Sequence, residues 1–170
     1  MTHLKFATAK LLFFSIGLAL TGSCSLSNSN WDTVKKTTEV YPTDTIRLYR
    51  IATNGSPELR WINESYRNYK YKKYCQHLVQ ASFELSNSKV ASWLFRDSLS
   101  IARSLQDHFK QKGITHFVGQ TMAGNELKIF LYHEDGPEPV SILFNFSIPN
   151  IGLIKTDPEW QVYSSLLVKK

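Results

Sequence analysis

"DSLSIARSLQDHFKQKG", residues 97–113, decides the fold. Leu99, Ala102, Leu105 and Phe109 fall on one stripe at helical spacing, while Arg103, Gln106, Asp107 and Lys110 lie off it. That is the pattern of a helix burying one face. Asp97 stands where the helix dipole favours an anion, Lys110 and Lys112 where it favours cations, and Gly113 suits a left-handed exit. The spacing predicts one main helix over about 97–112.

Outward from this helix the chain changes to period two. Ile114, His116 and Val118 read as one strand and Leu127, Ile129 and Leu131 as another. Glu134 to Pro139 (EDGPEP) reads as a turn, and Val140, Ile142, Phe144, Phe146 and Ile148 share the face of a further strand. Trp160 and Val162 open a final edge strand or short helix. Upstream, Cys75, His77, Val79, Ala81, Phe83 and Leu85 share one parity, and Lys89 to Phe95 (KVASWLF) reads as a return strand after Ser86-Asn87-Ser88, a long helix from Ser86 being the alternative. Ile46 and Leu48 alternate with Arg47 and Tyr49 up to Asn54-Gly55, a hairpin pair. Ser56-Pro57-Glu58 then resembles a helix start, with Leu59, Ile62, Tyr66 and Tyr69 at helical spacing. The expected class is α+β: an antiparallel sheet of about five to seven strands with the 97–112 helix packed on one face.

The N-terminus carries a different message. Lys5 and Lys10 precede a ten-residue uncharged core, Leu11 to Leu20 (LLFFSIGLAL), and no Asp or Glu occurs before Asp32. A helix needs about 20 apolar residues to cross a bilayer, so this core is short for a span and suits an export signal. Thr21-Gly22-Ser23 then leads into Cys24. The stretch resembles the lipobox of bacterial lipoproteins, with Leu20 four residues before the cysteine and Thr21 where such boxes usually carry Leu. The resemblance implies cleavage before Cys24, a lipid on its thiol and, with Ser25 rather than Asp next, delivery to the outer membrane, the periplasmic side being favoured. Two or more acyl chains would hold the protein firmly.

The chain has 170 residues, with 20 basic against 14 acidic; without Lys5 and Lys10 the balance is 18 against 14. The domain plan is therefore 1–23 signal peptide, 24–42 lipidated flexible tether (SLSNSNWDTVKKTTEVYP after Cys24) and 43–170 one globular domain. With Cys24 lipidated, Cys75 is the remaining thiol and no internal disulfide can form.

The most unusual stretch is Tyr66 to Tyr74 (YRNYKYKKY). Between Arg60 and His77 five basic residues face one acid, Glu64, an excess equal to that of the whole mature chain. Positive charge is thus local. Trp61, Tyr66, Arg67, Tyr69, Lys70, Tyr71, Lys72 and Lys73 form the candidate binding surface, because tyrosine supplies area with a polar tip while Lys and Arg meet phosphate or carboxylate. The alternative is that the tyrosines pack and the lysines merely solvate.

Cys75 with His77, His108 or His116 offers a weak thiolate and imidazole pairing, against which stands the apolar parity around Cys75. His133-Glu134-Asp135 reads as a solvated hairpin end rather than a metal site. The glycines form no phosphate-binding loop. No cofactor and no catalytic set is expected. The sequence points to a non-enzymatic envelope lipoprotein: held to its membrane by the lipid, it would bind a protein partner or an anionic lipid or polysaccharide, and no nucleic acid. A lipid or lipopolysaccharide carrier is the second reading, an envelope hydrolase the third.

Overall fold

The computed structural model describes residues 26–53, 56–84, 88–134 and 150–168. The elements are α1 (Leu26–Val34), β1 (Ile46–Thr53), β2 (Ser56–Asn63), β3 (His77–Glu84), α2 (Ser88–Lys110), β4 (Thr115–Ala123), β5 (Glu126–His133), β6 (Asn150–Thr156) and α3 (Gln161–Leu166), with short 3-10 turns at Thr38–Val40, Glu64–Tyr66 and Lys72–Tyr74. All six strands join one antiparallel sheet in the order β1-β2-β4-β5-β3-β6. The α+β expectation, with one main helix on a six-stranded sheet, holds.

The α2 stripe does what its spacing dictates. Ile101, Ala102, Leu105 and Phe109 seat on Val79, Ala81 and Phe83 of β3, Phe117 of β4, and Leu127, Ile129 and Leu131 of β5. Two buried amides tie the helix down: Gln106 donates to the Thr115 carbonyl at 3.0 Å and Gln120 to Ser98 Oγ at 2.7 Å. At its C-terminus, turn bonds from Gln111 N–H to His108 and from Lys112 N–H to Phe109 close the last carbonyls. Gly113 is therefore not needed as a left-handed cap, and Gly124 is the glycine with positive φ among the described residues. At φ 55° it opens the two-residue turn between Ala123 and Glu126, as a primed hairpin turn requires.

The helix is longer than expected. Residues 89–95, read as a return strand, continue α2 from Ser88, because an apolar run beside a helical stripe is stabilised by extending the same backbone ladder. Residues 56–63, read as a helix start, form strand β2 instead. Pro57 is tolerated there because β4 pairs with β2 only from Glu58 onward, so the missing N–H lies beyond that ladder. The Asn54-Gly55, Ser86-Asn87 and 135–139 turns, the 140–148 strand and Cys24 lie outside the described residues.

The other sheet face is covered by pieces rather than by one helix. Ile62, Leu78, Val118, Phe130 and Tyr132 lie beneath Tyr66, Tyr69 and Cys75 from the 64–76 connection, Trp160, Tyr163 and Leu166 from the C-terminal segment, and Trp31, Val34 and Val40 from the N-terminal segment. Phe117 lies in the helix-side core and Val118 in this second one, and a bulge between the Phe117 and Gly119 pairings turns Gly119 to the same face as Val118. Gly119 follows, where a Cβ would stand 2.7 Å from the Trp61 carbonyl.

The segment expected as a free tether thus differs from a coil over residues 26–41. It carries α1 and a 3-10 turn, and Trp31, Val34 and Val40 are buried. Three apolar side chains in a polar tract suffice to dock it. Among the described residues no helix is long and apolar enough to cross a membrane.

Candidate binding surface

The Tyr66 to Tyr74 strip divides by depth. Tyr66 and Tyr69 are 1% and 8% exposed and belong to the second core, whereas Arg67, Lys70 and Lys73 are exposed and Tyr71, Lys72 and Tyr74 are half-buried. Trp61 is buried on the opposite, α2-facing side of the sheet, across from Gln120. It therefore does not join the strip. Arg60, part of the same charge excess, is committed to Glu58 and to the Ser165 and Leu166 carbonyls that end α3.

Beneath the strip lies a directed hydrogen-bond chain. The Val40 carbonyl can only accept, so the single Tyr69 hydroxyl proton goes there, at 3.0 Å. Tyr69 Oη must then accept from His116 Nε2, 3.0 Å away, which leaves Nδ1 to accept from Tyr66 Oη at 3.2 Å. His116 is a neutral imidazole with the proton on Nε2. Its burial, with Lys110 and His133 adding, pushes its pKa down to about 3. Burial likewise drives the Tyr66 and Tyr69 hydroxyls far above the usual phenol range.

Asp157 organises the C-terminal half of the platform. Its carboxylate accepts from Tyr132 Oη at 2.6 Å and from the amides of Gln161 and Val162 at 2.8 and 3.0 Å, capping α3. Burial alone would raise its pKa; these donors and Lys155 outweigh burial and hold it below the usual carboxylate range. The chain reaches this cap through Trp160 at φ 54°, a left-handed conformation costing a bulky residue of order 1 kcal/mol. Packing holds it: the indole stacks on Tyr132 at 4.1 Å and donates to the Cys75 carbonyl at 2.7 Å.

The outer surface of the strip is met by the protein's own N-terminal arm. Trp31 stacks on Tyr74, 4.5 Å between centroids and 5° from parallel, with Tyr71 tilted at 5.8 Å. Its Nε1–H donates to Glu134 Oε1 at 2.8 Å, Lys35 ion-pairs with the same carboxylate, and the Ile114 amide donates to its other oxygen. Burial would raise the Glu134 pKa, but the Lys35, Trp31 and Ile114 donors hold it low. Glu134 is thus an inward latch rather than part of a solvated hairpin end, and His133 beside it is buried against Thr115. Past α1, Glu39 takes Tyr71 Oη at 2.7 Å and Lys70 Nζ at 2.9 Å.

The cations are unequal. Arg67 pairs with Glu64 and Lys70 with Glu39. Lys72 Nζ lies 5.8 and 5.7 Å from the Trp160 and Tyr163 ring centroids, and burial lowers its pKa. Among the described residues no carboxylate stands at ion-pair distance from Lys36, Lys72 or Lys73. Cys75 is fully buried, and both ring nitrogens of His116 are committed to tyrosines.

Asp157 is the residue that sequence reasoning missed, while His116 and Glu134 were read in other roles and Trp31 as a possible contact anchor rather than a docked one. The signal for docking at Trp31 is a lone indole, three residues before Val34, in a Ser/Asn tract. Compared with protein-family models, curated proteins and solved structures, the chain matches none.

Proposed function

We propose that this protein is a lipid-anchored, non-enzymatic envelope lipoprotein, attached through Cys24 to the periplasmic side of the outer membrane, that works as a binding or accessory subunit of a membrane-associated complex. Arg67, Lys70, Lys72 and Lys73 supply its contact surface. The observation that carries this reading is the buried, mutually bonded tyrosine platform that leaves cations as its outer layer. A rigid base with charge on its rim suits recognition of an anionic partner. The lipid-carrier alternative receives less support, because Ala102, Leu105 and Phe109 already fill the space between α2 and the sheet.

Mass spectrometry of the N-terminal peptide, with crosslinking in the native membrane, tests the reading. Acylated Cys24 and a crosslinked partner that is lost in the Arg67, Lys70, Lys72, Lys73→Gln variant support it. A bare Cys24 on a cytosolic chain overturns it.

A further inference from the structure

We infer that the lysines framing the docked α1, chiefly Lys36 and Lys73 with Lys70 beside them, rest on the anionic phospholipid headgroups of the bilayer that holds Cys24. This deepens, and rests on, the lipoprotein reading.

Chain length supplies the first support. Trp31 is seven residues from Cys24, and an extended chain spans at most ~3.5 Å per residue, so a docked Trp31 stands within about 25 Å of the acylated sulfur. Where residues 26–31 are helical the rise falls to ~1.5 Å per residue and the separation shortens further. A free coil through residue 42 would have allowed the domain to wander; the arm docked on Tyr74 and Glu134 brings this end of the sheet to the surface.

Charge supplies the second. At this end Lys35 answers Glu134 and Asp32, Lys70 answers Glu39, and Lys110 answers Asp107. Among the described residues Lys36, Lys72 and Lys73 have no carboxylate at ion-pair distance. Lys72 is half-buried beside the Trp160 and Tyr163 rings, whereas Lys36 and Lys73 are exposed, Lys73 with its Nζ 4.8 Å from the outer Tyr74 ring, which leaves these two as the outward pair. Lys70 joins them because its pair with Glu39 is open to water, 67% against 59% exposed, and readily exchanged for another anion.

The form of the surface decides the partner. Around Lys36 and Lys73 the strip's rings are buried or half-buried beneath α1 and the 3-10 turn, so this part of the surface offers no aromatic anchor. What remains is charge on flexible stems, which suits a diffuse layer of headgroups.

The lipidated full-length product, purified from its cell and reconstituted, tests this by amine footprinting. Vesicles of phosphatidylcholine alone are compared with vesicles containing phosphatidylglycerol, with Lys128 at the far end of β5 as internal reference. Lys36 and Lys73 are expected to react about fivefold more slowly on the anionic vesicles, and high salt should erase the difference. Trp31→Ala, which frees the arm, should remove the protection of Lys73 while Lys128 stays unchanged. Equal footprints on both lipids, or protection of Lys73 that survives Trp31→Ala, overturn the inference while an acylated Cys24 leaves the lipoprotein reading standing. A bare Cys24 overturns both.

Discussion

The two faces of the sheet are closed by different means. On one, a single amphipathic helix lays aliphatic and phenylalanine side chains on β3, β4 and β5. On the other, three separated segments bring Trp31, Tyr66, Tyr69, Trp160 and Tyr163 together, and their hydroxyls and indoles are tied to Val40, His116, Cys75, Asn63 and Glu134. The helix face depends chiefly on volume, with the Gln106 and Gln120 amides as its buried hydrogen bonds. The aromatic face depends on volume and on a closed set of hydrogen bonds, because short turns cannot bury polar-tipped rings without partners.

Substitutions can break this contrast. The largest effect is expected at Trp160→Ala, which empties the centre of the aromatic face and frees the Cys75 carbonyl: about 3–5 kcal/mol by urea unfolding, at or above the ~2–5 kcal/mol of Leu105→Ala on the helix face. If Leu105→Ala costs clearly more, the faces are not equal partners. Tyr69→Phe then isolates the hydroxyl contribution: it keeps the ring but leaves His116 Nε2–H and the Val40 carbonyl without their bonds, for about 1–3 kcal/mol.

Acid sharpens the difference further. The folded pKa of His116, about 3, lies below the unfolded value, so between pH 6.5 and 3 the unfolded chain binds the additional proton and stability falls as pH falls. One proton gives a slope of ~1.4 kcal/mol per pH unit. His116→Gln should flatten the stability profile above pH 5, where Asp157 and Glu134 do not yet contribute. Their low folded pKa values add a loss only below the ordinary carboxylate range. An unchanged profile in the variant would show that another group carries the titration.

The smallest effect belongs to the arm. Glu134→Gln removes the Lys35 pair and keeps one acceptor oxygen, for Trp31, while its NH2 faces the Ile114 amide, and should cost about 1 kcal/mol. Its signature is local: faster hydrogen exchange in α1 with α2 unaltered. If α2 loosens equally, α1 is part of the main cooperative unit.

The same contrast explains what could be read in advance. Leu99, Ala102, Leu105 and Phe109 repeat along one element, as do Leu127, Ile129 and Leu131, so both were visible as periodicity. The aromatic face has no period, since its members are up to 135 positions apart in sequence, from Trp31 to Leu166. Residues 56–69 carried a genuine helical spacing that cross-strand pairing on both sides overrode. At the candidate surface the charge excess was legible as composition, but depth was not: nothing in YRNYKYKKY says that Tyr66 and Tyr69 turn inward to one histidine while Lys70 and Lys73 turn out.

Strand β1 forms one border of the sheet among the described strands, with Leu48 55% exposed on it. If copies are held on one membrane by the proposed lipid they collide often, and such borders invite stacking into ribbons. Were two β1 strands to meet head to tail with Leu48 against Tyr49, Arg47 of each would confront Arg50 of the other. Like charges set directly opposite disfavour that pairing, although Arg47 also answers Glu64 at 3.2 Å, so crowding on a surface need not become polymerisation.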